Sequence, residues 1–223
     1  GAAPPRQAAT PPRGGEHTPR ARDAAPVSRP AAPTHASARR RSPMASSSAR
    51  LACVVFDFDS TLSTPQFLER FGAWAIADKP VIVESMTDDE LWANLGGPAR
   101  VELLKAMLRR LNGAGVRTPI VSLGFTAAIR RHLELSGMAE FFPEVYGQDS
   151  PELQRCDFVK AGLLDELMRA RGWSADQLLF VDDSSRNVGE CVRRGTCQVL
   201  KVEGSGLDAA DVDRILGLAG LVR

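Results

Sequence analysis

Leu51-Ala52-Cys53-Val54-Val55-Phe56-Asp57-Phe58-Asp59-Ser60-Thr61-Leu62 is the stretch on which the reading of this chain turns. Its first six residues form an unbroken apolar run, the pattern of a strand buried on both faces. Two carboxylates follow, two residues apart, so Asp57 and Asp59 project to the same side while the backbone stays extended. One can then attack an electrophile while the other handles the proton of a leaving group. Carboxylates this close repel unless a cation lies among them, and hard oxygen donors with waters and a phosphate suit Mg²⁺. The plain alternative is that aspartates at a strand end only begin a loop; the rest of the chain decides against it.

Working outward, the pattern recurs. Pro119-Ile120-Val121-Ser122, Leu178-Leu179-Phe180-Val181 and Cys197–Val202 are further strand-like runs. Residues 65–96 read as short helical pieces. Leu103, Leu104, Met107, Leu108 and Leu111 recur at helical spacing in a segment that starts near Pro98 and ends at Gly113 and Gly115. Ile129 and Leu133 mark a helix from about Thr126 to Gly137. Leu163, Leu164, Leu167 and Met168 mark another, expected to start with Asp157 as N-cap and to stop at Gly172. A helix near Asn187–Arg194 and a short one after Asp208 complete the alternation. Strands alternating with helices predict a parallel sheet covered on both faces. In such sheets a ligand lies beyond the carboxyl ends of the strands. That rule singles out Asp57 and Asp59, then Ser122, then Asp182 and Asp183.

The 223-residue chain has a formal net charge of +1 that hides an asymmetry. Residues 1–50 hold nine arginines and no lysine against Glu16 and Asp23, a net of +7, whereas the remainder holds 19 basic and 25 acidic side chains, a net of −6. A mildly acidic body gives no electrostatic reason to expect nucleic acid as a partner. No apolar stretch approaches the ~20 residues of a membrane span, so no membrane partner is expected. Residues 1–50 are rich in Ala, Pro, Arg and Ser without apolar period, the composition of a disordered basic tail. The tail suits an organelle transit peptide, or, because Met44 lies just before the apolar run, upstream sequence that the natural product lacks. Cys53, Cys156, Cys191 and Cys197 show neither C-x-x-C spacing nor disulfide-framework density. That fits a reducing compartment: the cytoplasm, or a plastid or mitochondrion if the tail is a transit segment.

Several other chemistries lack their residues. His17 and His35 lie in the tail and His132 sits mid-helix, as a surface or packing residue, which excludes histidine-dependent phosphatases and two-histidine metal sites. No cysteine is followed six residues later by arginine, so the thiol-phosphatase signature is absent. Position 120 is Ile, so Ser122 lacks the first glycine of G-x-S-x-G, and no G-x-x-x-x-G-K-[ST] phosphate loop occurs.

Val54-Val55-Phe56-Asp57-Phe58-Asp59-Ser60-Thr61-Leu62 resembles the first motif of the haloacid dehalogenase superfamily. Ile120-Val121-Ser122-Leu123-Gly124 is similar to its second motif, Lys160 to its third, and Phe180-Val181-Asp182-Asp183-Ser184-Ser185-Arg186-Asn187 to its acidic fourth. The four stand in the family's order and span roughly residues 51–203, and Ile120–Asp149 is similar to the phosphoserine-phosphatase-like branch. No Pro follows Lys160 as in many relatives. The resemblance implies a Rossmann-like three-layer α/β/α domain over 51–223. It implies that Asp57 attacks phosphorus to form an aspartyl-phosphate, and that Asp59 protonates the leaving oxygen and then activates water. It further implies Mg²⁺ held by the Asp57 carboxylate, the Asp59 backbone carbonyl and Asp182, with Asp183 supporting the metal shell. Ser122, Lys160 and the backbone N–H groups after Asp59, at Ser60 and Thr61, would cradle the phosphoryl group. Dehalogenases of the family lack an acid at the position of Asp59, so dehalogenation is not expected.

Family members carry a cap between the first two motifs, and here that insert spans about 62–97, small and helical. Phe67, Phe71, Trp74 and Trp92 are expected to form the insert's own core rather than to touch substrate. A small cap leaves the site open, which favours hydrolysis over phosphomutase chemistry, where water must be excluded. The expected reaction is therefore Mg²⁺-dependent hydrolysis of a phosphate monoester, a small phosphorylated metabolite. A phosphotransferase or phosphomutase sharing the intermediate, and an inactive binding protein on the same fold, are the alternatives. The residues name neither the substrate nor the oligomeric state, monomer or homodimer.

Overall fold

The apolar runs become the middle of a sheet. In the computed structural model, which describes residues 50–72 and 78–221, strands Cys53–Phe56 (β1), Ile120–Val121 (β2), Val145–Tyr146 (β3), Leu178–Asp182 (β4) and Gln198–Lys201 (β5) form one sheet in the order β3-β2-β1-β4-β5. All four pairings are parallel, with Phe56 opposite both Ile120 and Val181. Of the expected basic tail, residues 1–50, all but Arg50 lie outside the described residues, as does Trp74.

The helices follow in chain order as Pro65–Gly72 (α1), Lys79–Ser85 (α2), Asp88–Asn94 (α3), Pro98–Gly113 (α4), Thr126–Ser136 (α5), Pro151–Arg155 (α6), Lys160–Arg171 (α7), Ser185–Arg194 (α8) and Ala209–Leu218 (α9). Successive strand residues point to opposite faces. Val54 and Phe56 join Leu104, Leu108, Ile129 and Ile215 beneath α4, α5 and α9, while Cys53 and Val55 join Leu153, Leu164 and Cys191 beneath α6, α7 and α8. Two cores thus sandwich the sheet, the three-layer arrangement expected. Burying each such Leu, Ile or Phe is favourable by about 1.5–3 kcal/mol. No helix among the described residues is long and apolar enough to cross a membrane.

Two of these elements differ from the sequence reading. Strand β3 was not foreseen, because two residues carry no periodicity of their own. Asp157 is not an N-cap: Asp157 and Phe158 both take left-handed backbone, at φ 51° and 59°, and α7 begins at Lys160. The cause is the end of α6, where the N–H of Phe158 reaches back to the carbonyl of Leu153 and that of Asp157 to Gln154. Of the two places open to His132, surface or packing, the structure gives packing: it is fully buried.

The segment between β1 and α4 packs onto the main domain. Phe67 on α1 is buried against Phe58 and His132, at ring-centroid distances of 6.1 and 4.9 Å. Phe67 and Val83 belong to the same core as α4 and α5, with Trp92 half-buried against it, so the insert has no separate core among these residues. His132 also ties α5 to α3. Its Nδ1 lies 2.8 Å from the Ala128 carbonyl, which can only accept, so the proton sits there; Nε2 then accepts from Asn94 Nδ2 at 3.1 Å.

Candidate active site

Three adjacent strands end in the residues that the sequence singled out. Asp57 follows β1, Ser122 follows β2, and Asp182 closes β4 with Asp183 next. Parallel pairing puts all three ends on one edge of the sheet, and β2, β1 and β4 are its three central strands.

Lys160 closes the group from below. As the first residue of α7 its side chain is buried, and Nζ donates to Asp57 Oδ1 at 2.5 Å and to Asp182 Oδ2 at 2.7 Å. Taking an ammonium out of water costs several kcal/mol, which two flanking carboxylates offset. Burial alone would lower the Lys160 pKa; the Asp57 and Asp182 charges overcome it and hold the lysine above its ordinary value. Asp57 is pushed the other way. Burial raises its carboxyl to about 7, against the pull of Lys160 and with a further push from Asp182 and Asp59. Thr61 Oγ1 stands 3.5 Å from Asp57 Oδ2, at the outer limit of a hydrogen bond.

Asp182 is held by more than the lysine. Its Oδ1 accepts from the Ser184 N–H at 2.8 Å, and Asn187 Nδ2 reaches both carboxylate oxygens at 3.1–3.2 Å. Asp183, half-buried, is raised by burial and by the Asp182 charge. Oxygens of Asp57, Asp182 and Asp183 lie within 4.8 Å of one another. This all-oxygen donor set fits a divalent cation of the hard class.

Asp59 faces Ser122 across a narrow gap lined by Gly124. A methyl group on Gly124 would come within 3.1 Å of Asp59 Oδ2 and 3.6 Å of Ser122 Oγ, so only glycine leaves that space open. Ser122 is fully buried, and its Oγ accepts from the Gly124 N–H at 3.2 Å. The Ser60 N–H is engaged elsewhere. Ser60 has a left-handed φ of 57°, and its N–H donates to Ser63 Oγ at 3.1 Å. A phosphoryl oxygen would have to displace that contact.

Two participants escaped the sequence reading. Asn187 stood at the end of the acidic motif, five residues after Asp182, but one turn into α8 it orients that carboxylate. Arg100 gave no signal at all. On α4 it donates to four carbonyls, those of Thr61, Leu62, Leu95 and Leu207, at 2.7–3.0 Å, and so pins the turn that follows Asp59. Burial lowers its guanidinium to about 10, which still leaves it charged at neutral pH.

The cluster lies at the floor of a cleft of about 700 Å³ whose lining includes Asp57, Asp59, Lys160 and Asp183. Fold and site together define a three-layer α/β protein with a lysine-bridged acidic centre at the carboxyl edge of its parallel sheet. No family model and no curated protein matches the chain. Among solved structures, it is similar to a haloacid dehalogenase-like family hydrolase from Streptococcus pneumoniae, at 14% identity, covering 74% of this chain and 90% of that one with a TM-score of 0.44. It is also similar to the cobalt-bound deoxy-D-mannose-octulosonate 8-phosphate phosphatase from Haemophilus influenzae, at 14% identity, 77% and 90% coverage and a TM-score of 0.45. A third is an L-2-haloacid dehalogenase from Xanthobacter autotrophicus, at 15% identity, 77% and 84% coverage and a TM-score of 0.44.

Proposed function

We propose that the chain is a phosphate-monoester hydrolase of the haloacid dehalogenase superfamily, with Asp57 as nucleophile and Asp59 as acid and base. The observation that carries this reading is the buried contact of Lys160 with both Asp57 and Asp182, beside Asp59 in an open cleft. Asp57, Asp182 and Asp183 would hold Mg²⁺, together with the Asp59 backbone carbonyl. When bound, the ion would favour the ionised form of Asp57 and neutralise charge on the phosphoryl oxygens.

In the first half-reaction an Asp57 oxygen attacks phosphorus and the ester P–O bond breaks. Asp59, carrying a proton, gives it to the departing alkoxide. In the second, Asp59 takes a proton from water as that water attacks phosphorus, freeing Asp57 and inorganic phosphate. Lys160 fixes the Asp57 carboxylate and offsets the charge of the phosphoryl group, while the Ser122 hydroxyl would donate to a phosphoryl oxygen. The presence of Asp59 favours phosphate over halide as leaving group, since an alkoxide needs a proton and a halide does not. The helices α1 to α3 would act as a small cap.

The test is phosphate release from a panel of phosphomonoesters, including small phosphorylated metabolites, with Mg²⁺ and with EDTA. Hydrolysis that needs Mg²⁺ is expected, with Ca²⁺ inhibiting because its larger, looser shell draws a second Asp57 oxygen into coordination. Full activity in excess chelator would overturn the metal assignment. Isomerised rather than hydrolysed product would point to a mutase.

A further inference from the structure

Above its charged floor the cleft is lined by apolar side chains that stand in water. Leu68 is 45% exposed, Leu123 45% and Phe158 50%, and these are three of the six exposed large apolar residues among the described residues. All three line this one cleft, together with the half-buried Phe125 and Val159. They come from separate places: Leu68 from α1, Leu123 and Phe125 from the segment between β2 and α5, and Phe158 and Val159 from the link between α6 and α7. Three of the six exposed large apolar residues among the described residues thus converge on the cleft that reaches Asp57. Apolar exposure concentrated around a cleft marks a surface that a ligand covers.

Phe158 adds a second, independent observation. Its φ of 59° is a left-handed conformation that aromatic residues rarely adopt, and its neighbour Asp157 shares it at 51°. The strain is held by hydrogen bonds, Phe158 N–H to Leu153 O at 3.0 Å and Val159 N–H to Cys156 O at 2.9 Å. Such backbone strain persists where the surroundings over-determine it, and it clusters at ligand clamps. Here its product is an aromatic ring delivered to the cleft two residues before the lysine that holds the nucleophile.

We infer that the substrate is a phosphate monoester whose alcohol carries an apolar or aromatic body, seated against Phe158, Leu123 and Leu68, and that Phe158 is a residue that sets this specificity. The inference rests on the phosphatase reading of the same site. The phosphoryl group sits on the floor, and Phe158, Leu123 and Leu68 offer the carbon skeleton an apolar wall beside the polar lining that Gln148, Ser184 and Arg186 contribute.

The experiment compares 2-phenylethyl phosphate with ethyl phosphate on the full chain with Mg²⁺, since the two leaving alcohols are of similar acidity and differ in the ring. Kcat/KM is measured on the unaltered protein and Kd by calorimetry on Asp57→Asn. In both, 2-phenylethyl phosphate should be favoured by about tenfold or more, the scale expected for burying a ring. Phe158→Ala should reduce that ratio to about twofold or less, Phe158→Leu should keep most of it, and Leu123→Ser, on a different segment, should lower it independently. Thermal midpoints of the variants establish that they fold. A ratio near one, or a ratio that Phe158→Ala and Leu123→Ser leave unchanged, overturns the inference even if both esters are hydrolysed. If neither ester is hydrolysed but the Kd ratio holds and falls with Phe158→Ala, the apolar site stands and the phosphatase reading is what fails.

Discussion

The floor and the mouth of the cleft reverse the usual distribution of side chains. On the floor Asp57, Lys160 and Asp182 are charged and almost wholly buried, while at the mouth Leu68, Leu123 and Phe158 are apolar and about half exposed. Each arrangement is costly by itself. Buried charges lose hydration, and exposed apolar groups order or displace water. The two differ in how that cost is met. The floor is satisfied internally, since Lys160 bridges two carboxylates and Asn187 and Ser184 complete the shell of Asp182. Among the described residues the mouth has no comparable internal partner, and on the inference above a ligand would cover it. A self-satisfied region keeps its geometry between turnovers, and an unsatisfied one discriminates among ligands.

The comparison breaks most sharply at Asp57, the proposed nucleophile. Asp57→Asn should lower turnover by about 10⁴-fold or more, because the amide is a far poorer nucleophile, while the fold survives with one hydrogen bond to Lys160 changed. Phosphate-release assays and circular dichroism check both halves; appreciable residual activity would remove Asp57 from its role. Lys160→Met tests whether the floor is held by its own charges. It leaves Asp57 beside Asp182 without the cation between them, and stability should fall by about 3–5 kcal/mol. Mg²⁺ should restore part of that loss in urea unfolding, because a cation re-enters the carboxylate cluster. No loss, and no gain from Mg²⁺, would contradict an electrostatically closed floor.

His132 sharpens the comparison from the other side, since it lies beneath Phe58 and Phe67 on the flank that carries α1. Burial depresses its pKa to about 4, and the neutral ring already uses both nitrogens. Between about pH 6.5 and 4 the unfolded chain binds a proton there that the folded chain refuses, so stability must fall as pH drops through that window. The full effect is on the order of 3 kcal/mol. A His132→Gln protein should show a flatter stability profile between pH 7 and 5; an unchanged slope would assign the acid sensitivity elsewhere. The smallest effect is expected at the far end of the chain. A protein starting at Met44 should match the full chain in activity and thermal midpoint at low and high salt, since all four motifs lie beyond residue 50. Salt-dependent loss of activity would show that the basic segment takes part.

Much of the floor was legible in the sequence because its residues follow apolar runs that can only be buried strands. Asp57, Ser122 and Asp182 each sit at the end of such a run, and parallel order brings those ends together. Lys160 needed the family's motif order, since nothing local distinguishes a lysine at a helix start from a solvated one. The mouth was far less legible. The expectation of an N-cap at Asp157 came from residue preference alone, and the hydrogen bonds that close α6 overrode it, turning Phe158 outward. Surface and packing stayed equally open for His132 because its partners, Asn94 and the rings of Phe58 and Phe67, are distant in sequence. Arg100 could not be foreseen, because every group it binds is a main-chain carbonyl and carbonyls occur at every position.

Arg100 also fixes a point in the life of the chain. It links the turn after Asp59 to Leu207, a residue 107 positions further along, and the Leu207 N–H itself donates to Thr61 O at 3.0 Å. At about 5–20 residues per second, a ribosome reaches Leu207 on the order of 5–20 s after it has placed Arg100. Through that interval the second, third and fourth motifs are made, the first having preceded Arg100, yet the turn after Asp59 lacks one of its anchors. Nascent or prematurely terminated chains that end before Leu207 should therefore hold every residue of the proposed site and still be slack at the turn after Asp59, so that, on the proposed function, activity would report on finished synthesis.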